Sequence, residues 1–333
     1  MRREADRIEL CIVGCGRFAT FHARAARALG RDPTLAFASR DGARAEAYRR
    51  RFGGVAAFGD YEAAAADPRV VALVVCTPPH LHLDHVRLAS RHGKAVLLEK
   101  PIARTVEEAD RILAEAEAAG IPLMVAENFH FMPAFVAARQ LLASGAIGRV
   151  RQILISARGY RHPAGWRRRR EEVGGGTLID GGVHYVRLLH EWGGPIARVS
   201  AAAPPNLFDD VEGEDTAYVL VRFREGAVGV LASSIASPRL PRRQWSWVSG
   251  TAGSLGVDNR GRLLWLRGTR GNRLRVYLRD ERGLRAQLAE FLAAVREGRP
   301  PALPARATRN DLAVVCAAYR SIETGQAVDL PPG

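Results

Sequence analysis

The segment that most constrains this chain lies near its start. Residues 8–13, Ile-Glu-Leu-Cys-Ile-Val, make an apolar extended run, and Gly14-Cys15-Gly16-Arg17-Phe18-Ala19 follows without a spacer. A helical stretch then continues to Leu29 and stops at Gly30. A strand that passes through G-x-G-x-x-A into a helix opens a dinucleotide-binding βαβ unit. The first glycine permits the tight turn, and the second lets the backbone approach a pyrophosphate. The small residue at 19 lets helix and strand pack closely, while the helix N-terminus offers unpaired N–H groups to the anion. The competing reading is a plain tight turn; the position after a strand and before a helix favours the nucleotide.

The alternation continues. Residues 34–38 form a second strand ending in Ser39-Arg40-Asp41. An acid at this place accepts hydrogen bonds from the ribose hydroxyls of NAD, whereas serine followed by arginine suits the 2′-phosphate of NADP better. Asp41 either takes the ribose role or caps the helix that runs to Phe52. NADP is therefore favoured, with NAD as the alternative. Residues 70–76 are the most continuous apolar run, as expected of a parallel strand covered on both faces. Thr77-Pro78-Pro79-His80-Leu81-His82 follows and turns the chain across the carboxyl edge of the sheet, where ligands bind in open α/β folds. A helix over 83–91 leads to the strand Val96-Leu97-Leu98, which ends in Glu99-Lys100-Pro101. A capping box, Thr105 with Glu108, opens a helix to Ala119, and a strand over 121–126 completes the pattern. Residues 1–126 read as a doubly wound parallel sheet.

Lys94 and Lys100 are the only lysines; every other basic side chain is arginine. An amine at a strand end can lose its proton when desolvated, and a guanidinium cannot. That singles out Lys100, although drift alone could leave two lysines.

Beyond Glu127 the texture changes. Helices over 133–142, 284–296 and 309–322 accompany strands over 150–157, 215–223, 227–235, 244–249, 254–257, 262–266 and 273–278, with a hairpin turn at Arg224-Glu225-Gly226. Residues 127–333 therefore read as an α+β domain on an antiparallel or mixed sheet. Its chemically interesting stretch is Gly174-Gly175-Gly176-Thr177-Leu178-Ile179-Asp180-Gly181-Gly182-Val183-His184. If 178–191 is helical, Asp180 and His184 lie four apart on one face, a carboxylate beside an imidazole. Such pairs also serve structural roles. Glycines at 181 and 182 weaken a helix, so something else must favour them, such as a close ligand or neighbouring chain.

The chain of 333 residues carries a net charge of +14, which raises nucleic acid as a partner. The excess is spread as arginine, with one dense run at Arg167–Arg170 and no interleaved aromatic pattern, so nucleic-acid binding is not expected. Arg168 to Arg170 either form a solvated basic loop or meet an acidic substrate. Cys11, Cys15, Cys76 and Cys316 show no metal-ligand spacing; no metal is expected, and buried free thiols fit a reducing cytoplasm. No secretory signal is read at the N-terminus. No uninterrupted apolar segment approaches the roughly 20 residues a membrane span needs.

Four blocks in order, Gly14–Ala19, Thr77-Pro78, Glu99-Lys100-Pro101 and Asp180-x-Gly182-x-His184, resemble the glucose–fructose oxidoreductase / inositol dehydrogenase / rhizopine-catabolism (Gfo/Idh/MocA) family over nearly the full length. The last two blocks are the specific ones. The resemblance implies an N-terminal Rossmann domain and a C-terminal domain whose open, mainly antiparallel sheet builds homodimers or homotetramers. It implies NAD(P)-dependent oxidation or reduction of sugars, inositols and related hydroxy or keto compounds. By position it implies that Lys100 shares acid/base work beside nicotinamide and substrate, that His184 is the main proton acceptor, and that Asp180 orients it. Cofactor contacts are implied for Gly14, Gly16, Arg17, Phe18, Ala19, Ser39, Arg40, Thr77, Pro78, His82, Glu99 and Lys100. Substrate contacts are implied for Asn128, Trp166, Arg167, Asp180 and His184, and for His130, which replaces the arginine of the family's Asn-x-Arg pattern. Two alternatives stand beside this reading: a dinucleotide-binding sensor without turnover, and a dicarbonyl or dihydrodiol reductase of the same fold.

Overall fold

A computed structural model describes residues 7–29, 33–238, 244–269, 271–280 and 282–332. Gly30, the expected helix stop, and residues 1–6 of the N-terminal stretch lie outside the described residues. The chain forms two compact units. The first takes the described residues up to Ala103, then Glu107–Glu127 and Leu284–Ala307; the second takes Arg104–Val106 and the described parts of Asn128–Gly283 and Thr308–Gly333.

In the first unit, β1 (Leu10–Val13), β2 (Leu35–Ala38), β3 (Ala56–Phe58), β4 (Ala72–Val75), β5 (Ala95–Glu99) and β6 (Leu123–Ala126) form a parallel sheet in the order β3-β2-β1-β4-β5-β6. Every residue of β1, β2, β4, β5 and β6 is buried, which explains their unbroken apolar character. The connecting helices are α1 (Arg17–Arg27), α2 (Gly42–Phe52), α3 (Tyr61–Ala66), α4 (His82–Arg91) and α5 (Val106–Ala118). Chain order reverses between β1 and β4, so the carboxyl ends of these two strands define the ligand crevice of such a sheet.

In the second unit, helices α6 (Pro133–Ala143), α7 (Arg170–Val173) and α8 (Val183–Gly193) accompany the sheet, and α10 (Ala305–Thr324) belongs mostly here. The strands are β7 (Val150–Arg158), β8 (Ile196–Ala202), β9 (Thr216–Phe223), β10 (Val228–Ser234), β11 (Gln244–Gly250), β12 (Ser254–Asp258), β13 (Leu263–Gly268), β14 (Gly271–Val276) and β15 (Val328–Asp329). Among the described residues they make one sheet, β14-β13-β12-β11-β7-β10-β9-β8-β15, antiparallel except for the β7–β10 pair. Alternation along β9 turns Val219, Val221 and Phe223 inward and Tyr218 and Leu220 outward.

One expected boundary differs. The sequence assigns all of 127–333 to the second domain, yet α9 (Leu284–Glu297) packs on α1 of the first unit. Its Leu288, Phe291 and Leu292 are buried, and Arg296 donates to Glu9 Oε1 at 2.6 Å. The apolar stripe of α9 finds its cover there, which no local feature of 284–297 announces.

Candidate active site

The first unit builds a dinucleotide cradle. Gly14 has φ +89°, and a Cβ on it would lie 2.9 Å from Thr77 Cγ2, so the turn after β1 crosses directly over the end of β4. Gly16 caps α1 without a side-chain bond, and a Cβ there would meet nothing within 4 Å among the described residues. The first-turn N–H groups of α1 therefore face room for an anion. Ala19 is fully buried, as close helix–strand packing requires. Tyr48 of α2, absent from the sequence reading, donates from its hydroxyl to Gly16 O at 3.1 Å and steadies the loop. Arg17 is exposed, with its guanidinium 5.8 Å from the Phe21 ring.

At the end of β2, Ser39 Oγ accepts from the Asp41 N–H at 3.2 Å, and Asp41 Oδ1 accepts from the Arg44 N–H at 3.1 Å. Asp41 thus makes the helix cap, one of its two expected roles. Arg40 is exposed and forms no ion pair with any described residue.

The end of β5 is held from below. Glu99 Oε1 lies 2.6 Å from His22 Nε2, both side chains nearly inaccessible, and Glu99 Oε2 accepts from the Lys100 N–H at 3.2 Å. Lys100 Nζ stands 6.0 Å from the centre of the Phe18 ring, which places the amine near a side chain of the first turn of α1. His82 is buried; its ring nitrogens lie 3.2 Å from Ile102 O and 3.1 Å from Thr77 O, and the nitrogen that carries the proton donates to its carbonyl. Burial pulls the His82 imidazole below its ordinary range. Thr77 Oγ1 lies 3.1 Å from His85 Nδ1, and burial followed by the neighbouring His82 lowers His85 to about 4, so its ring is neutral at physiological pH. Of the expected cofactor residues, Glu99 and His82 spend their polar atoms on the chain itself; Pro78 starts the turn over β4.

In the second unit, residues Leu178–Gly182 wind as a π-helix that runs into α8. The expectation of a uniform α-helix over 178–191 is corrected here: Gly181 and Gly182 lack side chains that would resist the wider turn. A Cβ on Gly182 would lie 2.8 Å from Leu178 Cδ1, while one on Gly181 meets nothing within 4 Å. Asp180 accepts from Arg161 at 3.2 Å and from Arg167 Nε at 3.3 Å. The His184 ring lies flat on Phe129, centroids 4.5 Å apart at 9°, and Phe129 in turn stacks on Phe135. The imidazole plane is thus set by an aromatic column that the sequence reading did not contain. A Phe at 129 was visible; its partner 55 residues away in the numbering was not.

The remaining expected substrate residues divide. Asn128 donates to Arg282 O at 2.7 Å. His130 pairs through Nδ1 with the buried carboxylate of Glu191, which Arg139 also contacts at 2.8 Å. Burial opposes charge on Glu191, but His130, Arg139 and Arg187 together hold it below its usual range. Trp166 lies under the Arg167 guanidinium at 4.1 Å. The basic run is internally matched: Arg168 pairs with Asp210 at 2.9 Å, Arg169 with Glu172, and Arg170 with Glu323 at 3.2 Å. No group of three or more His, Cys, Asp or Glu side chains able to hold a metal occurs among the described residues. The cysteines are free thiols, and no described helix is long and apolar enough to cross a membrane.

A parallel sheet with a glycine loop at its switch point defines the dinucleotide-binding class of open α/β folds, and here a mainly antiparallel sheet follows it. Residues 8–127 match the family described as an oxidoreductase family with NAD-binding Rossmann fold, and residues 135–256 match the GFO/IDH/MocA C-terminal domain. The chain belongs to this Gfo/Idh/MocA oxidoreductase family. It is 30% identical to D-xylose 1-dehydrogenase (NADP(+)) 2 of Haloferax volcanii, covering 89% of this chain and 91% of the relative. It is 27% identical to D-apiose dehydrogenase of Paraburkholderia graminis, covering 97% and 90%. An oxidoreductase domain protein from Kribbella flavida superposes with a TM-score of 0.91 at 26% identity, covering 98% of this chain and all of that one.

Proposed function

We propose that this oxidoreductase transfers hydride between a nicotinamide dinucleotide, NADP in preference to NAD, and a sugar, inositol or related hydroxy or keto compound. The observation that carries the reading is Lys100 Nζ placed at the Phe18 edge of an open glycine loop, 6.0 Å from that ring. Gly14, Gly16, Arg17 and the N-terminus of α1 would hold the pyrophosphate, with Ser39 and Arg40 toward the ribose 2′ position. When bound, the nicotinamide supplies or accepts the hydride. His184, its ring plane fixed on Phe129, takes the hydroxyl proton at an imidazole nitrogen. Asp180 orients and electrostatically supports that imidazole, and Arg161 and Arg167 hold the carboxylate. The Lys100 ammonium stabilises the oxygen as it becomes negative. The names of the sugar dehydrogenases given above support the substrate class.

The test is reduction of NADP by a panel of pentoses, hexoses and inositols. Lys100→Ala is expected to cut turnover by about 10²-fold or more while cofactor Kd stays within a few-fold; unchanged turnover would overturn the role of Lys100. We also infer a homo-oligomer built on the outer face of the second sheet. Leu154, Tyr218, Leu220 and Trp247 stand exposed there, and Trp247 packs against both Trp245 and Trp265. A monomer in sedimentation equilibrium at micromolar concentration would remove that inference.

A further inference from the structure

The helical segment that carries Asp180 and His184 starts in an unusual way. A helix begins with N–H groups that have no partner in its own preceding turn, and a side chain at the N-cap ordinarily accepts from one of them. Thr177 precedes the π-turn and makes no side-chain cap bond. The acceptors come instead from two distant places in the second unit, Glu214 just before β9 and Tyr319 on α10. The Gly176 and Ile179 N–H groups both donate to Tyr319 Oη at 3.2 Å. The Leu178 N–H donates to Glu214 Oε1 at 2.7 Å, and the Thr177 N–H donates to the Glu214 backbone oxygen at 2.7 Å. Tyr319 Oη donates in turn to Glu214 Oε1 at 3.1 Å, which closes the set. Four successive N–H groups are thus accepted by two residues.

The glycine run exists to let this happen. A Cβ on Gly175 would collide with the Tyr319 ring, and one on Gly176 would collide with the Glu214 backbone, in both cases closer than real Cβ contacts come. Gly174, at φ +92°, would put a Cβ 2.8 Å from Arg104 Cα. Burial pushes the Glu214 carboxyl up to about 7, so near neutrality a large share of it carries its proton and still accepts at an oxygen.

We propose that Glu214 and Tyr319 are positioning residues: together they cap the segment 178–193 and so set where Asp180 and His184 stand. This rests on the hydride-transfer reading for its kinetic consequence, but the clamp itself has a readout that needs no activity. Amide hydrogen exchange over 176–180 and steady-state kinetics are measured together on the full chain for Tyr319→Phe, Glu214→Ala and Glu214→Gln. Tyr319→Phe removes the acceptor for two N–H groups. It is expected to raise exchange over 176–180 at least about tenfold while the β1–β6 amides keep their protection. In turnover, kcat should fall by about tenfold or more, with KM and cofactor Kd within threefold, because a small displacement of an acid/base group acts on the reacting geometry. Glu214→Gln keeps an oxygen facing the Leu178 N–H and should retain kcat within threefold, whereas Glu214→Ala should not.

Unchanged exchange over 176–180 in Tyr319→Phe would overturn the clamp, whatever the kinetics. Faster exchange with unchanged kcat would overturn the positioning role and leave hydride transfer intact. Equal losses in Glu214→Gln and Glu214→Ala would also overturn it. If the unaltered protein reduces no cofactor with any substrate, the hydride-transfer reading fails, and the exchange arm alone decides whether the cap exists.

Discussion

Two glycine-rich stretches, one in each unit, use the residue for opposite purposes. In the first unit, Gly16 opens onto space: beyond its own chain neighbours, no described residue comes within 4 Å of where its Cβ would be. In the second, Gly174, Gly175 and Gly176 are pressed against Arg104, Tyr319 and Glu214. One stretch leaves room for something to arrive, and the other lets the chain come close to itself. The arginines repeat the contrast. Arg40 beside the loop has no ion pair with a described residue, while Arg167 to Arg170 each face a carboxylate. A glycine run or a basic cluster is therefore no sign of a ligand until its surroundings are known.

Alanine substitutions at the two stretches should have opposite consequences. Gly176→Ala places a methyl group against the Glu214 backbone, which cannot swing away as a side-chain end could. Overpacking of that kind, with loss of the cap bonds, is expected to cost on the order of 4 kcal/mol or more, seen as a collapse of the urea midpoint or of soluble yield. Gly16→Ala adds the same methyl group to open space at φ −107°, an ordinary backbone conformation. Its urea midpoint should stay close to that of the unaltered protein, while dinucleotide Kd rises about tenfold or more because the pyrophosphate needs that approach. If Gly16→Ala unfolded the protein and Gly176→Ala did not, the assignment of room and contact would be reversed.

The same contrast explains what could be read beforehand. The parallel sheet was legible because buried strands show as unbroken apolar runs, each next to its own helix and turn. Ala56–Phe58 and Tyr61–Ala66 escaped because three residues and six residues are too short to show a period. Lys100 stood out through its rarity and its place at a strand end. The π-turn at Leu178–Gly182 did not, since Asp180 and His184 share a spacing with any α-helix. Glu214, Tyr319 and Phe129 act across 36 to 143 positions for the cap bonds and 55 for the stacked ring, and single-sequence pattern reading sees only neighbours. The one available hint was the three successive glycines, which signal close approach without naming the partner.

The arginines differ in the same way as the glycines. An exposed guanidinium next to Ser39 at the end of β2 is placed to meet a 2′-phosphate, and Asp41, which could have served a 2′-hydroxyl, is engaged by the Arg44 N–H. A charge-assisted bond to phosphate at a partly solvated edge is worth about 2 kcal/mol. Arg40→Ala should therefore weaken NADP by roughly thirtyfold and leave NAD within threefold, measured by titration of each cofactor. Arg169→Ala removes an equal charge from the matched run, and both cofactors should bind within about twofold of the unaltered protein, because its charge is already matched by Glu172. Equal losses of NADP and NAD in Arg40→Ala would assign that arginine to the loop rather than to the phosphate, and the preference for NADP would fall with it.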